Sequence, residues 1–440
     1  MKPCKLSLLL CSALLMYQSA FPQAKWTLEQ CISYAKENNL QVKQMELGEQ
    51  QAENNLQAAK MEYLPSVNAS MGHNMSWGRS VNLNDLEIVE NKLSQSSSMS
   101  LSASLPLFEG LRKQNNIKST QKQLEIARTN TAEQKDNISI AVVKGYLQVL
   151  LCKEIERCAQ QSYNSVASQL KTTEELVEAG NQTYSSLLEI KSQLANEKLQ
   201  LVTASNNTSS AMLELAQLLN LPNDGSFDIA VPESNLLPPA IGQDELEEIF
   251  STAEGLPRIR KAELALQQSK LQYKMQKGAA LPTISFSAGY STFYSDNQRT
   301  AFFTQFDNNR NPSMGFSLNI PIFNNWRNNT AIRNARSNME SSRIGLEISR
   351  QELMKEIQLA FNQAQSSYNK MEAAADNRDA AMESFKLTQE KFNLGMLNGT
   401  DYSTAKANLF KAESEWLQSK YQYIFQHKIL DYYRNVPLTL

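Results

Sequence analysis

The residue types that carry most enzyme and metal chemistry are sparse in this chain. His73 and His427 are its only histidines and lie far apart in the sequence. Beyond the first twenty residues the cysteines are Cys31, Cys152 and Cys158, an odd number without a Cys-x-x-Cys pair. Zinc sites and disulfide frameworks need closely spaced or paired ligands. We therefore interpret these side chains as packing residues and expect neither a metal nor a cofactor.

Acidic pairs offer no better case for catalysis. Glu174-Glu175 and Glu247-Glu248 are neighbours in helical sequence, where adjacent acids are typical of solvated helix faces. The sequence contains no nucleophile elbow, phosphate-binding glycine loop or metal-spaced motif. Its 43 basic residues nearly balance its 45 acidic ones, so electrostatics gives no reason to expect nucleic acid as a partner. The sequence predicts a protein that is not an enzyme.

Residues 1–20 have the pattern of a secretory signal peptide. Lys2 and Lys5 supply the positive start, and an apolar run over residues 6–15 follows. Cleavage is expected after Ala20, with Ala24 as the later alternative. We expect an exported protein.

Four stretches alternate large apolar and small polar side chains, at about 66–79, 97–107, 283–295 and 313–323. In the third, for example, Ile284 and Phe286 alternate with Ser285 and Ser287. A period of two predicts strands whose two faces meet different media. Small polar groups opposite large apolar ones fit a wet lumen and a lipid-facing exterior.

Long helical patterns follow each pair of strands, at about 110–178 and 326–394. In the first, core positions recur every seven residues from Ile117 to Val166, which is typical of a coiled coil. Such a helix would be about 100 Å long, over twice the thickness of a bilayer at about 40–45 Å. It must therefore pack against other long helices. Return helices are predicted at about 183–220 and 400–433.

The chain is a tandem repeat. Pro106 and Pro321 are 215 positions apart, as are Gly180 and Gly395. Each repeat contains helix, strand pair, long helix, turn and return helix, in that order. We divide the chain into a signal peptide at 1–20 (24 at the latest), a first repeat at 26–220, a linker at 221–243, a second repeat at 244–434 and a tail at 435–440.

The predicted fold is mainly α with a membrane β part, built from long antiparallel coiled-coil helices and four strands per chain. Four strands cannot close a membrane barrel, since the smallest known use about eight. Open strand edges are not tolerated in hydrocarbon. Several copies must therefore contribute strands to one shared barrel, and the long helices extend from its rim because each begins directly after a strand.

Motifs at the junctions and turns resemble the TolC-like outer-membrane efflux proteins. They comprise Leu-Pro at the ends of the helices before the strands, the glycine-anchored turns at Gly180 and Gly395, the closing Lys-Ile-Leu-Asp-Tyr-Tyr at 428–433, and the strand-to-helix junctions. The junction residues that carry the resemblance are Pro106, Phe108, Gly110, Pro321 and Phe323. The resemblance covers almost all of the mature chain, in both repeats and in order.

This resemblance implies a homotrimer with a twelve-stranded barrel in the outer membrane and a twelve-helix periplasmic tunnel. It implies a passive exit duct of a tripartite efflux or type I secretion system, with a periplasmic adaptor (membrane fusion protein) and an inner-membrane pump as partners. The tunnel tip that docks with the adaptor would be formed by the turns at Gly180-Asn181 and Gly395-Met396.

The resemblance also implies a gate at this tip, where family members place acidic rings just past the second turn. Asp401 occupies the first such position, Thr404 stands where some members have a second carboxylate, and Ser186 is the first-repeat counterpart of Asp401. Only one expected acid is present. An exposed acid near a helix N-terminus is the alternative interpretation of Asp401.

The competing hypothesis is a periplasmic coiled-coil adaptor or scaffold without a membrane barrel. It would account for the heptads. It would leave the two strand pairs, with their serine-lined faces, unexplained.

Overall fold

The computed structural model describes residues 25–81, 88–222, 227–232, 237–242 and 245–440. The predicted signal peptide lies outside these residues, as do parts of the predicted linker. The described chain contains nine helices and four strands: α1 (Leu28–Asn38), α2 (Leu40–Met61), β1 (Ser66–Val81), β2 (Ile88–Glu109), α3 (Arg112–Glu178), α4 (Tyr184–Leu218), α5 (Glu245–Ala253), α6 (Pro257–Gly278), β3 (Thr283–Ser295), α7 (Phe302–Asn308), β4 (Asn311–Asn319), α8 (Arg327–Asn393) and α9 (Gly399–Tyr433). Of these helices, none combines the length and apolarity needed to cross a membrane.

The chain divides into two compact units that do not coincide with the two repeats. Unit 1 takes its described residues from Met1–Met45, Thr131–Leu256 and Arg350–Leu440. Unit 2 consists of Glu46–Asn130 and Pro257–Ser349. Each unit takes segments from both repeats, because boundaries fall within α2, α3 and α8.

Unit 2 contains an antiparallel sheet with the strand order β1–β2–β3–β4. Its register places like side chains opposite each other: Met71 pairs with Met99, whereas the neighbouring Ser70 pairs with Ser100. The two serine hydroxyls lie 2.7 Å apart. Met314 and Phe316 on β4 remain 83% and 75% exposed, so these large apolar side chains are not covered within the described chain.

Two strand ends differ from the prediction by more than two residues. β2 begins at Ile88 rather than near residue 97, because its ladder with β1 continues until Ile88 pairs with Val81. Apolar alternation is weak there, so the pattern alone did not indicate a strand. β4 ends at Asn319 rather than near 323. Pro321 has no N–H to donate to a further rung of the ladder.

Part of the predicted linker is anchored in unit 1. Trp26 and Ile229 form a parallel bridge, and the N–H of Ala230 donates to the Trp26 carbonyl at 2.9 Å. Tyr146 on α3 is fully buried, and its hydroxyl donates to the carbonyls of Ala230 at 2.6 Å and Trp26 at 3.2 Å. Burial raises the pKa of Tyr146, which keeps the hydroxyl a donor.

The candidate cysteines occupy packing positions, whereas His73 is exposed. Cys31 and Cys152 are buried in the apolar core of unit 1, and Cys158 is partly buried beside it. Burial, with a smaller contribution from a nearby carboxylate, raises the pKa of Cys31 to about 12. The cysteine thiols are therefore unreactive small apolar groups. On β1, His73 Nδ1 lies 2.9 Å from the Ser97 hydroxyl of β2.

The two strand-to-helix junctions share an unusual backbone. Gly110 and Leu111, between β2 and α3, have φ of 61° and 64°. Asn325 and Trp326, between β4 and α8, have φ of 54° and 62°. The two pairs lie 215 positions apart. Two consecutive left-handed residues turn the chain from extended to helical at the same place in each repeat.

The five predicted junction residues lie around these turns. β2 has an irregular register between Pro106 and Phe108, where it pairs with β3. Gly110 is buried, and a Cβ on it would clash with the carbonyl oxygen of Gly278 at the end of α6. Pro321 and Phe323 follow β4, and Phe323 is exposed.

A polar side chain ties each junction to the helix that precedes the strands of its repeat. Lys113 is buried and its ammonium donates to the carbonyls of Glu62 and Pro106. Asn328, at the equivalent position, donates from Nδ2 to the Ala279 carbonyl at 3.2 Å. These bonds satisfy carbonyls at the ends of α2 and α6, which have no partner within their own helices.

We predict that Gly110→Ala destabilises the protein by at least about 2 kcal/mol, because the left-handed backbone disfavours a side chain and Gly278 leaves no room for one. Gly345→Ala is the matched control, since a Cβ there meets nothing within 4 Å. It should stabilise α8 by about 0.5–1 kcal/mol. Thermal unfolding of the two variants in detergent measures both effects. Equal midpoints would show that the Gly110 junction is not constrained.

Candidate functional site

The turns that follow the two long helices have the same hydrogen bonds. After α3, Gly180 has φ of 75°, and the N–H of Asn181 donates to the Leu176 carbonyl at 2.8 Å. After α8, Gly395 has φ of 71°, and the N–H of Met396 donates to the carbonyl five residues before it at 2.9 Å. Both are Schellman motifs, in which a left-handed glycine ends the helix.

The return helices begin with equivalent caps. Thr183 Oγ1 accepts the N–H of Ser186 at 3.2 Å, and Asn398 Oδ1 accepts the N–H of Asp401 at 2.8 Å. Such side chains satisfy N–H groups that a helix start leaves unpaired. Ser186 and Asp401 therefore occupy the same position, the third residue of α4 and of α9. The Asp401 carboxylate is favourable there because the N-terminus of a helix attracts negative charge.

An apolar cluster packs four helices together behind the turns. Its buried members are Val166, Ile190, Phe385, Phe392, Tyr402 and Leu409, from α3, α4, α8 and α9. The Tyr402 ring lies between those of Phe385 and Phe392, with centroids 5.5 and 5.0 Å away. Burial raises the pKa of Tyr402 to about 12. This cluster fixes the two turns of unit 1 on one helical bundle.

A polar seam joins α4 to α9 beside this cluster; we define it as Glu189, Gln193 and Glu197 on α4 with Gly399, Ser403 and Lys406 on α9. Glu189 packs so closely on Gly399 that an added Cβ would lie 2.9 Å from the Cβ of Glu189. The Ser403 hydroxyl donates to Gln193 Oε1. Gln193 Nε2 in turn donates to Glu197 Oε1 at 2.7 Å.

The inner end of the polar seam is charged and buried. Glu197 is 1% exposed and Lys406 is 8% exposed. Burial lowers the pKa of Lys406, while Glu197 and Glu413 oppose that shift by attracting its positive charge. The Lys406 ammonium lies 4.8 Å from the centre of the Phe385 ring. Glu197 Oε2 has no hydrogen-bond partner in the described chain, and Lys406 is a cation that attracts this carboxylate without a direct ion pair.

The structure brings two of the three predicted gate residues together. Asp401 and Thr404 both line a groove of about 570 Å³ between α8 and α9, with Ser384 and Asn408. Asp401 is exposed. Ser186 lies on α4, outside the lining of this groove.

The predicted docking residues Gly180, Asn181, Gly395 and Met396 are all exposed. Large apolar side chains accompany them on the surface of the two turns and the helix ends beside them: Tyr184, Leu188, Leu394 and Met396. Exposed apolar groups of this size are common at surfaces that bind another protein.

The polar seam was not among the features predicted from the sequence. Ile190, Ala204 and Ala211 are buried at seven-residue spacing, and Glu197 fills the remaining position of that row. The heptad phase of α4 could therefore have predicted a buried carboxylate. The leucines of α4 form a more obvious apolar row in the sequence, but Leu188 among them is exposed.

Comparison with known proteins gives a consistent result. A family model described as "Outer membrane efflux protein" matches residues 31–221 and 251–428. The outer membrane efflux protein BepC of Brucella suis is 21% identical over 339 residues, which cover 77% of this chain and 69% of BepC. The pyoverdine export outer membrane protein OpmQ of Pseudomonas aeruginosa is 27% identical over 240 residues, 54% of this chain and 48% of OpmQ.

The fold is also that of solved outer-membrane proteins. The structure of VceC from Vibrio cholerae superposes with a TM-score of 0.74 at 12% identity, covering 93% of this chain and 96% of VceC. Identity this low supports a shared fold and no more. The family match is what favours an outer-membrane protein over a periplasmic adaptor or scaffold.

We predict that Lys406→Met lowers the free energy of unfolding by about 1–3 kcal/mol, because it removes a cation that offsets the buried Glu197 carboxylate. The double variant Glu197→Leu/Lys406→Met should recover the stability of the wild type or exceed it, since it removes both buried charges. Thermal unfolding followed by circular dichroism gives the comparison.

Lys411→Met is the matched control on α9. Lys411 is exposed, and its ion pair with Glu415, at 4.0 Å, is long and also exposed. It should change stability by no more than about 0.5 kcal/mol. A double variant as unstable as Lys406→Met alone would contradict charge compensation as the reason that both residues are buried.

Proposed function

The chain belongs to the outer membrane efflux protein family, and on that basis we propose that it forms the outer-membrane exit duct of a tripartite efflux or type I secretion system. The duct is a passive homotrimer. It docks with a periplasmic adaptor and an inner-membrane pump, and we assign no catalytic step to it. The observation that carries the proposal is the family match across both repeats, together with the sheet that one chain leaves incomplete.

The sheet supports the trimer. In the strand order β1–β2–β3–β4, the outer strands β1 and β4 each have one neighbour. Unpaired N–H and C=O groups are costly in hydrocarbon, so the edges of one copy must pair with those of the next. Three copies supply twelve strands, enough to close a barrel around a lumen. The serines then line the lumen, and the large apolar side chains meet lipid.

The long helices support a periplasmic tunnel. α3 and α8 have 67 residues each, which corresponds to about 100 Å of helix. This length exceeds a bilayer thickness of about 40–45 Å. Helices of this size with heptad packing are suited to spanning an aqueous compartment as a bundle.

The tip turns support docking to the adaptor. Tyr184, Leu188, Leu394 and Met396 expose apolar surface around the turns at Gly180 and Gly395. The adaptor covers these side chains in the assembled system. Substrate choice belongs to the pump, because a lumen lined by serines offers little chemistry for selecting a molecule.

Asp401 is the proposed tip gate, with Thr404 and Ser186 as neutral members of the same constriction. Three symmetry-related Asp401 carboxylates would converge in a trimer. A ring of carboxylates in a narrow pore attracts cations and holds multivalent ones.

We predict that Asp401→Asn raises the concentration of a trivalent cation needed to halve single-channel current by at least about tenfold, because it removes the carboxylate ring. Asp376→Asn is the matched control, an exposed acid on α8 whose substitution removes the same charge. Single-channel recordings in planar bilayers, with the cation added at the tip side, measure both.

Equal block of the wild type and Asp401→Asn would leave Asp401 as a surface acid and reject the gate. If the wild type and the tip variant both insert into the bilayer but conduct no ions, that result would contradict the duct itself.

A further inference from the structure

Each strand-to-helix junction has a strained backbone and an exposed large apolar side chain, and the described chain compensates for neither. Leu111 and Trp326 have left-handed backbones, which disfavour bulky side chains by about 1–2 kcal/mol each. The same two side chains are 57% and 59% exposed. Strained backbones that expose large apolar groups commonly belong to binding sites.

The residues that follow Leu111 and Trp326 repeat the same chemistry. We define junction face 1 as Leu111, Arg112, Gln114, Asn115 and Lys118, and junction face 2 as Trp326, Arg327, Asn329, Thr330 and Arg333. Each pair is 215 positions apart. Both faces thus present one large apolar group, an arginine, two polar groups and a second cation. The spacing of three, four and seven residues places most of each set on one side of its helix.

The first turns of α3 and α8 contain cations, whereas the N-terminus of a helix favours anions. The first turns of α3 and α8 contain no acidic residue. A helix N-terminus attracts negative charge and is destabilised by cations such as Arg112 and Arg327. Both arginines are exposed, although the stem of Arg112 lies against Gly278. Around junction face 2 the sequence has no acidic residue between Asp307 and Glu340, so an anionic group outside the chain would compensate its positive charge.

Junction face 2 also contains a recess. A cavity of about 290 Å³ is lined by Trp326, Asn329, Thr330 and Arg333. Amide, hydroxyl and guanidinium groups are hydrogen-bond donors to phosphate, and arginine binds phosphate through two parallel bonds. The indole forms an apolar wall beside these donors. The recess therefore suits a phosphate that is attached to an apolar tail.

The chain leads to these faces from the apolar side chains of the sheet. Met314 and Phe316 on β4 are exposed, and Ile322, four residues before Trp326, is 93% exposed. Leu107 is exposed shortly before junction face 1. The order along the chain is apolar strand, exposed apolar residue, then arginine. This is the order of acyl chain, interface and headgroup across one leaflet, where tryptophan and arginine are favoured.

We propose that each junction face binds the phosphate headgroup of a phospholipid in the periplasmic leaflet of the outer membrane. Leu111 and Trp326 enter the acyl boundary, and the cations of each face contact the phosphate. The proposal rests on the proposed function, because it needs the strands to be in the membrane.

Lipid retention tests the phosphate contacts. The full-length protein is reconstituted in vesicles of phosphatidylethanolamine with phosphatidylglycerol, extracted gently, and its retained phospholipid counted by native mass spectrometry. Arg327→Gln/Arg333→Gln should lower the number of retained phospholipids by about half, because junction face 2 loses both cations, each worth about 1 kcal/mol, while junction face 1 is unchanged. The control, Arg336→Gln/Arg343→Gln, removes two arginines about 14 Å further along α8 and should match the wild type.

Fluorescence quenching tests the position of Trp326. Its signal is the difference between the wild type and Trp326→Phe in vesicles that contain brominated phospholipids. Bromine near the headgroup end of the acyl chain should quench this signal more than bromine near the chain terminus.

Both results are required. Equal phospholipid retention by the wild type and both variants would overturn the lipid site. A Trp326 signal that neither brominated lipid quenches would also overturn it, because Trp326 would then face water or another subunit. Either result would leave the proposed duct intact. A wild-type protein that does not enter the vesicles overturns the site and the proposed function together.

Discussion

Unpaired strand edges are the constraint on which the rest of this structure depends. An N–H or C=O group without a partner costs several kcal/mol in hydrocarbon, and the outer strands β1 and β4 each have a single neighbour. One chain therefore cannot place its sheet in a membrane. The exposed apolar side chains of the sheet and its opposite serine face have a physical reason only when other copies complete the barrel. In the proposed duct, the folded chain is one part of an assembly.

The tandem repeat reuses its turns and junctions but not its polar seam. Glycine turns, helix caps and left-handed junctions recur at a spacing of 215. The buried Glu197, in contrast, has Ala412 as its counterpart, and Lys406 has the exposed Lys191. A buried polar residue in a coiled coil selects the partner and the register at some cost in stability. The polar seam therefore distinguishes α4 and α9 from the otherwise similar pairings that a repeat would permit.

The features that could be predicted from the sequence are those with a local, periodic pattern of residues. Alternation predicted β3 with the bounds that the structure has, and glycine spacing predicted both turns. The start of β2 could not be predicted, because residues near Ile88 join the sheet through backbone pairing with β1. The anchored linker depends on the Tyr146 hydroxyl, which reaches Ala230 from far away in the sequence. Contacts of this kind leave no periodic signal.

The mass of the particle extracted from outer membranes in detergent tests the shared barrel most directly. Light scattering corrected for bound detergent would count the chains. We expect three chains in a particle that fractionates with the outer membrane. A monomer or dimer recovered from the soluble periplasmic fraction would contradict the shared barrel, since four strands with open edges would then have no partner in the membrane.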